Sequence, residues 1–495
     1  MLEAKPVIIL GSGGIGKTTL ALAVLHDDQV AEKYSQRYFV SCDGITSIDL
    51  LLTELAAVLR ISPEARDQYL KEHVIKALRN HSRPAILCLD NLETLWEIPK
   101  SRSSVEAFLA ILTRIPKIVI LATMRGTERP DKTDWTPLHS LHPLSKPDTL
   151  AVFQGVTRQK SVDQFGEKLL EATGGIPLAV TLLAYLAQNE GETTEAMWNR
   201  WQNLGPSFFS RDDGAEDRQL SLNASIHISL SSPRVLAEPS ASQVLALLAI
   251  LPDGLSTASD RIDQLQHHLP SGVNLRNALH VLNKVALIYV NKTVDPWRYQ
   301  LLPPIRQFVR SQHSNIVLET ECQRGLIALY VKLINDREGH MADPLAHAFI
   351  RPELLNIHNI LLLALMAHMD GDIYSAAICY SDWREYLGLA TEDIMLLAVE
   401  RSREMDHPET GRCLHKLANV YIAKNKLMDA EECLLKAVHL HQRAQDVLHE
   451  GDDWHKLGKL YIRTDRLKEA EESLLKAIGL HQQAHHALSE GRDWL

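Results

Sequence analysis

A glycine-rich stretch at residues 11–19 constrains the fold more than any other feature of the sequence. It reads Gly-Ser-Gly-Gly-Ile-Gly-Lys-Thr-Thr, follows an apolar run at residues 7–10 and leads into a helical pattern that begins near Lys17. Glycines at a strand-to-helix turn let the backbone bend tightly and point its N–H groups at phosphate oxygens. The spacing therefore predicts a parallel α/β sheet with a phosphate-binding loop after its first strand.

The side chains around this loop predict a magnesium-phosphate site. Lys17 reaches the β- and γ-phosphates, and the Thr18 hydroxyl ligates Mg²⁺. The apolar run at residues 85–89 ends in Asp90, a carboxylate that can hold Mg²⁺ through water. Arg125 follows the run at residues 118–122, where it either contacts the γ-phosphate or is an exposed loop arginine. The predicted phosphate-binding residues are Gly11, Gly13, Gly14, Ile15, Gly16, Lys17, Thr18, Thr19 and Arg125, the predicted metal ligands are Thr18 and Asp90, and the predicted catalytic residues are Asp90 and Arg125.

The sequence leaves the general base of any hydrolysis open. Asn91 follows Asp90 where many hydrolytic sites place a second acid. Glu93 is a candidate base, and a surface-loop glutamate is the alternative interpretation.

The predicted architecture is multidomain, because 495 residues exceed a usual single domain. Continuous apolar runs at residues 7–10, 38–40, 85–89 and 118–122 alternate with helical segments beginning near Lys17, Ile48, Pro63 and Ser104, which predicts a doubly wound parallel sheet. Ligands of such sheets bind beyond the carboxyl ends of the strands.

The strand signal largely stops after residue 145. Helical patterns at residues 148–157, 162–173 and 177–189 predict a small helical domain, and residues 206–218 read as a polar linker. A helix with Ser242 as its N-cap and two runs at 287–290 and 297–301 that could pair as a hairpin indicate a winged-helix module. We therefore expect an α/β domain at residues 1–145, a helical domain at 146–205, a winged-helix-like domain at 206–315, a helical linker region at 316–410 and helical repeats at 411–495.

The last part of the chain repeats with a period of 40 residues. Residues 411–450 align without gaps with residues 451–490, and a third unit starts at Gly491. One helical repeat cannot bury its apolar face alone, so we expect an α-solenoid whose third repeat is truncated. His441 and His481 recur at this period, and we interpret them as solvated or interfacial side chains rather than zinc ligands.

Composition limits the partners. The 52 Lys and Arg against 62 Asp and Glu give a net charge of −10, so no overall basic field exists to hold nucleic acid. No apolar run approaches the roughly 18 residues of a membrane span. Six cysteines without a C-x-x-C pair are typical of a reducing compartment. We expect a soluble, cytoplasmic protein that binds neither membranes nor nucleic acid.

Four motifs in this order resemble those of NB-ARC ATPases of the STAND class. Residues 11–19, 87–91, 122–125 and 174–179 look like the Walker A, Walker B, sensor 1 and G-x-P motifs. Trp454, Leu457, Gly458 and Tyr461 resemble the tetratricopeptide signature. The combination is similar to fungal NLR-like proteins, which function in responses like innate immunity.

The resemblance implies that Lys17, Thr18, Asp90 and Arg125 hold the phosphates and Mg²⁺, and that Pro177 packs near the adenine or ribose. It also implies that ADP locks the domains closed and that exchange for ATP permits opening and homo-oligomerisation. The Met-His-Asp of the family's winged helix corresponds to Leu301-Leu302-Pro303 here, so that lock is absent or rebuilt. Two further departures from the family are expected: only a few residues precede the first strand, where the family has a segment that helps hold adenine, and neither end carries an effector domain. The three departures leave open a gene-model fragment, an adaptor or a divergent member with weakened nucleotide retention.

The sequence therefore predicts a switch that binds ATP or ADP with Mg²⁺ and is at most a slow ATPase. Its repeats are the predicted sensor or protein-binding scaffold. Two alternatives stay open: a turnover ATPase or P-loop kinase, which needs its own base and acceptor pocket, and a repeat scaffold that binds no nucleotide.

Overall fold

The computed structural model describes residues 5–61, 70–126, 128–188, 193–203, 215–292, 294–312, 321–341, 343–367 and 372–484. The chain divides into two compact units. The first comprises Met1–Arg60 and Val74–Leu326, and the second comprises Ile61–His73 and Ile327–Leu495. The five segment boundaries expected from the sequence stay predictions.

A four-stranded parallel sheet forms the centre of the first unit. Its strands are β1 (Val7–Gly11), β2 (Gln36–Ser41), β3 (Ala85–Asp90) and β4 (Ile118–Arg125), in the order β1-β4-β3-β2. Every residue of β3 is buried, which explains its continuous apolar run. The predicted doubly wound parallel sheet is confirmed, and its register places Gly11 beside Arg125 and Ser41 beside Asp90 at one edge.

The helices of this α/β region are α1 (Lys17–His26), α2 (Asp28–Lys33), α3 (Ile48–Val58), α4 (Leu70–Arg79), α5 (Glu93–Trp96) and α6 (Pro99–Leu112). The predicted starts at Lys17 and Ile48 are confirmed. The start predicted near Ser104 is wrong, because α6 begins five residues earlier with Pro99, whose fixed φ suits a first helical turn. The start predicted near Pro63 lies outside the described residues.

The remainder of the first unit is helical except for a small antiparallel sheet. Its helices are α7 (Lys146–Thr157), α8 (Gln164–Ala172), α9 (Pro177–Gln188), α10 (Thr194–Gln202), α11 (Ala215–Leu230), α12 (Pro233–Leu236), α13 (Ala241–Ile250), α14 (Ser259–His268), α15 (Leu275–Lys284) and α16 (Pro303–Gln312). Its strands are β5 (Leu255–Ser256), β6 (Tyr289–Asn291) and β7 (Arg298–Gln300), in the order β5-β7-β6. The predicted hairpin is present as β6 paired with β7.

Two local predictions in this region are wrong. Ser242 does not cap α13, because Ser240 takes the N-cap position, and the Ser240 hydroxyl accepts a hydrogen bond from the Asn274 N–H at 3.0 Å instead of capping. Residues 215–218 of the expected linker already belong to α11, since Ala, Glu and Arg favour helix. The rest of that linker, residues 206–214, lies outside the described residues.

The regular structure of the second unit is helical, without a β-strand among its described residues. Its helices are α17 (Glu321–Asn335), α18 (Pro344–Ile350), α19 (Leu354–Met366), α20 (Ile373–Tyr386), α21 (Asp393–Glu404), α22 (Thr410–Ala423), α23 (Leu427–Ala444), α24 (Val447–Arg463) and α25 (Leu467–Gln483). One boundary between the two units falls inside α17. The pairs α22/α23 and α24/α25 are the two 40-residue repeats, and they share a core that includes Leu434 and Leu457. The third repeat predicted from Gly491 lies outside the described residues.

The periodic histidines lie at contacts between helices. His441 is 4% exposed and packs on Gly411, and His481 is 1% exposed and packs on Gly451. The interfacial interpretation is confirmed and the solvated one is wrong. In the described part of the chain, no group of three or more His, Cys, Asp or Glu could hold a metal ion.

One stretch among the described residues, Pro344–Met366, has the length and apolar composition of a membrane span. Of its most apolar 18-residue segment, 61% is buried inside the protein. A short 3-10 turn, Arg351–Glu353, interrupts the stretch and contains two charged residues. Such burial is typical of a core helix.

Candidate functional site

The loop between β1 and α1 has the conformation that its glycines allow. Gly14 has φ +73° and Gly16 has φ +94°, both in the left-handed region, where a side chain would be strained. Gly16 is the N-cap residue of α1, and no side chain caps the first turn of that helix. The amides at this N-terminus therefore suit an anion.

Lys17 lies over the loop. Its Nζ donates to the carbonyl oxygens of Gly11 and Ser12, each at 2.9 Å. The side chain is 9% exposed, and burial lowers its pKa to about 8, an effect that the nearby Glu93 carboxylate opposes and the Arg125 cation increases. An anion in the loop would replace carbonyl contacts by charge-assisted bonds.

Asp90 joins the loop to the neighbouring strand. The Thr18 hydroxyl donates to Asp90 Oδ1 at 2.9 Å, and the Thr123 hydroxyl donates to the same oxygen at 2.6 Å. Burial raises the pKa of Asp90, and the hydrogen bonds from Thr123 and Thr18 and the charge of Lys17 counteract that rise. The structure therefore brings the two predicted metal ligands, Thr18 and Asp90, into contact.

Thr123 also belongs to the site, although it was not predicted from the sequence. It lies on β4, 1% exposed, and it also accepts the backbone N–H of Asn91 at 2.9 Å. Because Leu89 pairs with Ala122 in the register of β3 and β4, the next residues along each strand, Asp90 and Thr123, meet at the sheet edge. The sequence signal for this role is a single polar residue between the apolar run at residues 118–122 and Met124.

Glu93 lies in the first turn of α5 and is 7% exposed, so the surface-loop interpretation is wrong. Burial raises the pKa of its carboxyl, and the charges of Lys17 and Arg125 oppose that rise. Within the described residues its Oε2 is buried without a hydrogen-bond partner. Its role as a base stays a prediction.

Arg125 ends β4 beside Gly11 and is half-buried, which is not the environment of an exposed loop arginine. Its Nη1 donates to the Gln307 side-chain oxygen on α16. Its Nε is buried without a partner among the described residues. Arg125 therefore links the sheet edge to α16.

A second link joins the sheet to α16, and it too was not predicted from the sequence. Arg306 forms an ion pair with Asp43, which follows β2, and its Nη2 donates to the carbonyl oxygens of Leu251 and Pro252 at 3.3 Å each. The Arg306 side chain is 5% exposed. Two consecutive residues of α16 thus attach to two strand ends of the parallel sheet.

Pro177 takes the first position of α9, half-buried, and the residues around it contact the loop. The Leu178 N–H donates to the Gly14 carbonyl at 3.2 Å. A Cβ on Gly14 would lie 3.0 Å from Leu178 and 3.4 Å from Ile176, so this helix start packs tightly on the loop. The structure brings the segment of Pro177 next to the phosphate-binding residues.

The residues at this edge fit a magnesium-bound polyphosphate. Buried polar atoms without a described partner surround the loop: Ser12 Oγ, Glu93 Oε2 and Arg125 Nε. Buried polar groups normally have partners, so these atoms indicate the place of a polar ligand. The hydroxyl of Thr18 and the carboxylate of Asp90 are hard oxygen donors of the kind that Mg²⁺ prefers.

Two protein-family models match segments of the chain. Residues 1–127 match the NB-ARC domain, and residues 454–483 match the tetratricopeptide repeat. The first match contains Lys17, Asp90 and Arg125.

Two plant proteins are similar to part of the chain. It is 27% identical over 208 residues to the candidate disease resistance protein RGA4 of Solanum bulbocastanum, and 23% identical over 216 residues to the candidate disease resistance protein At1g50180 of Arabidopsis thaliana. These matches cover 39% and 40% of this chain, and 20% and 23% of the relatives. The chain therefore spans about a fifth of the length of the relatives it matches.

Two solved structures show weaker likeness. A Signal Transduction ATPase with Numerous Domains (STAND) protein with a tetratricopeptide repeat sensor from Pyrococcus horikoshii has 14% identity and a TM-score of 0.39, over 99% of this chain and 83% of that chain. The Orc1 protein of Aeropyrum pernix, solved in complex with DNA, has 14% identity and a TM-score of 0.29, over 62% of this chain and 86% of that chain. The two family matches alone show that the chain contains an NB-ARC domain at residues 1–127 and a tetratricopeptide repeat at residues 454–483.

Proposed function

We propose that this chain is a nucleotide-dependent molecular switch in a signalling pathway, and that it binds ADP or ATP with Mg²⁺ at residues 11–18. The observation that carries the proposal is the contact of Thr18 with Asp90 at the glycine loop over which Lys17 lies. The NB-ARC match at residues 1–127 supports it.

Each residue at the sheet edge has a role in this proposal. The loop amides and Lys17 bind the phosphates, and Pro177 lies toward the nucleoside. Thr18 and Asp90 hold the Mg²⁺ ion, which neutralises phosphate charge when bound. Thr123 fixes the orientation of the Asp90 carboxylate.

Hydrolysis is slow or absent in this proposal. The site offers the positioning and the charge stabilisation that phosphoryl transfer needs, but Asn91 stands where many hydrolytic sites place the second acid that activates water. Glu93 is the group nearest to a base role, because burial raises the pKa of its carboxyl toward the range in which it can take a proton.

The switch acts through α16. Arg125 cannot hold Gln307 and a γ-phosphate with the same donors, so ATP competes with α16 for Arg125 whereas ADP leaves that contact in place. The two nucleotides then differ in affinity for the attached and released arrangements of α16, which is the free-energy source a switch needs. The Arg306–Asp43 pair takes the place of the Met-His-Asp lock.

The tetratricopeptide repeats are the segment that we propose binds other proteins, in the cytoplasm, and nucleotide exchange permits homo-oligomerisation. Sedimentation of the full chain with ADP and with a non-hydrolysable ATP analogue tests the switch. We expect a larger particle, or a changed sedimentation coefficient, with the ATP analogue only. The same coefficient in both nucleotides would contradict the proposal, and rapid multiple turnover would favour a working ATPase instead.

A further inference from the structure

A buried carboxylate lies where the two repeats meet. Asp453 on α24 is 0% exposed. Its Oδ1 lies 2.6 Å from Nδ1 of His415 on α22, and its Oδ2 lies 2.7 Å from Nδ1 of His441 on α23. An ionised carboxylate only accepts hydrogen bonds, so each ring donates its Nδ1–H. One side chain of the second repeat thus joins both helices of the first.

The two imidazole rings differ in their access to water. The His415 side chain is 23% exposed and lines a polar cavity of about 210 Å³. His441 is buried, and its Nε2 lies against Gly411 without a hydrogen-bond partner among the described residues. A ring that gains a second proton needs an acceptor or a water for the new N–H. The cavity offers water to Nε2 of His415, so His415 is the ring suited to carry a positive charge.

The charges around this cavity favour a positive ring. In the described part of the chain, carboxylates outnumber lysine and arginine side chains here. The carboxylates that line the cavity or pair with its lining residues are Asp382, Glu385, Glu409, Asp446, Asp452 and Asp453. The lysine and arginine side chains beside them are Arg412, Lys416 and Lys456. A protonated histidine reduces the excess of negative charge.

Two other histidines face carboxylates on the same helix, α24. His449 Nδ1 lies 2.7 Å from Asp446 Oδ2, and His481 Nε2 lies 3.6 Å from Asp452 Oδ1. Both pairs lie within the second helix pair, α24/α25 and its N-cap, whereas the contacts of Asp453 cross to the first pair. A change of charge at Asp453 or its partners therefore acts on the joint between the repeats.

We propose that the His415–Asp453 contact is a proton-dependent link between the two repeats, closed while His415 is charged and weakened as the pH rises through the range in which histidine loses its proton. A hydrogen bond between two ionised groups is stronger than one in which only the carboxylate is ionised, and more so away from water. His441 keeps the other oxygen of Asp453, so the weakened joint opens more often without unfolding. This inference goes beyond the proposed switch and requires neither a nucleotide nor a partner protein.

Hydrogen exchange of the full chain, followed by mass spectrometry at about pH 6 and pH 8 and corrected for the intrinsic exchange rate, tests the link. We expect the protection of backbone amides in α22, α23 and α24 to fall by about tenfold at the higher pH. The internal reference is α13, which contains no titratable side chain and should keep its protection.

His415→Gln separates the proton from the hydrogen bond. Glutamine still donates an N–H toward Asp453 but does not titrate, so the protection of these helices should be the same at both pH values. The matched control is His439→Gln, an exposed histidine on α23, which should keep the pH dependence of the wild type. Circular dichroism establishes that each variant is folded.

The inference is overturned by wild-type protection that stays equal or rises from pH 6 to pH 8, or by a folded His415→Gln variant that keeps the pH dependence of the wild type. If His415→Gln does not fold, the wild-type measurement decides alone. Lys17→Ala should retain the pH dependence of the repeats. A chain that shows this dependence but binds no ADP contradicts the proposed switch alone, and one that binds ADP without the dependence contradicts this inference alone.

Discussion

Thr123 is the residue whose contribution at the sheet edge is easiest to isolate. Thr123→Val keeps the shape of the side chain but leaves the Asn91 N–H and the Asp90 carboxylate with one partner fewer. We expect the free energy of unfolding to fall by about 2 kcal/mol, measured by urea denaturation. We also expect ADP affinity to depend less on Mg²⁺, because Asp90 is less well oriented.

Thr123→Ser is the control, since it restores the hydroxyl, and it should recover the Mg²⁺ dependence. Wild-type Mg²⁺ dependence in Thr123→Val would show that Thr123 does not position Asp90.

Lys17 gives a pH dependence with a definite sign. Burial lowers its pKa from 10.5 to about 8, so in the free protein Lys17 loses its charge as the pH rises through about 8. Phosphate favours the charged form, so ADP binding near pH 8 should take up a proton, and affinity should fall at higher pH. Calorimetry in two buffers of different ionisation enthalpy measures this uptake, and proton release at that pH would contradict the prediction.

The effect of Lys17 on the free energy of unfolding has the opposite sign, because this free energy rises with pH. Between pH 8 and 10.5 the unfolded chain holds a proton on Lys17 that the folded chain has lost. The penalty for burying the charge is therefore present below pH 8 and disappears as the pH rises through this window.

Lys17, Thr18 and Asp90 could be predicted from the sequence, because local spacing encodes their positions at the ends of strands and in the strand-loop-helix unit. Thr123 was not predicted, because its partnership with Asp90 depends on the register of two strands separated by 27 residues of sequence. Asp43 and Arg306, which lie 263 positions apart, were not predicted either. Tertiary packing decides which residues meet in such contacts, and a local pattern can mark one residue of a pair but not its partner.

At the scale of elements, α16 is attached to the sheet edge by two side chains of unequal importance. Arg306→Ala removes a buried ion pair and leaves Asp43 and two carbonyl oxygens without their donor, so we expect about 3 kcal/mol of destabilisation in urea unfolding. Gln307→Ala removes one contact and should cost no more than about 1 kcal/mol.

The two variants also separate attachment from nucleotide choice. Gln307→Ala frees Arg125 for a γ-phosphate, so affinity for an ATP analogue relative to ADP should rise by up to about tenfold. Competition binding with labelled ADP measures the ratio. A ratio equal to that of the wild type would show that Arg125 does not distinguish between the two nucleotides.

The repeats allow a matched glycine comparison. A Cβ on Gly411 would lie 2.4 Å from His441 Nε2, whereas a Cβ on Gly479 within α25 has open space. Gly411→Ala should therefore destabilise by about 1–3 kcal/mol through overpacking, and Gly479→Ala should stabilise by about 0.5–1 kcal/mol through helix propensity. Denaturation followed by circular dichroism measures both, and equal effects of the two changes would contradict the packing of His441.

Helix and strand positions followed the sequence where an element carried its own signal. Apolar runs marked all four parallel strands, and the 40-residue period marked the repeat helices. The errors lie at helix starts, at Pro99 and Ser240, where neighbouring polar residues offer several capping choices. Only the packed structure selects among them.

At the scale of the whole chain, the sequence predicted a parallel sheet followed by helical repeats, and both are present. The division into two units was harder to predict, because one of its boundaries falls inside α4 and another inside α17, where no linker composition marks them. Both the glycine loop and the repeats could be predicted from the sequence, because the first is a local pattern and the second is a periodic one.

The central claim is that residues 11–18 with Asp90 bind a magnesium nucleotide. Titration of labelled ADP in the presence of Mg²⁺ tests it most directly, with Lys17→Ala as the comparison and circular dichroism as the check on folding. We predict saturable binding to the wild-type chain at one site, and affinity at least about a hundredfold lower for Lys17→Ala. Undiminished binding by Lys17→Ala, or no binding by the folded wild type, would contradict the claim.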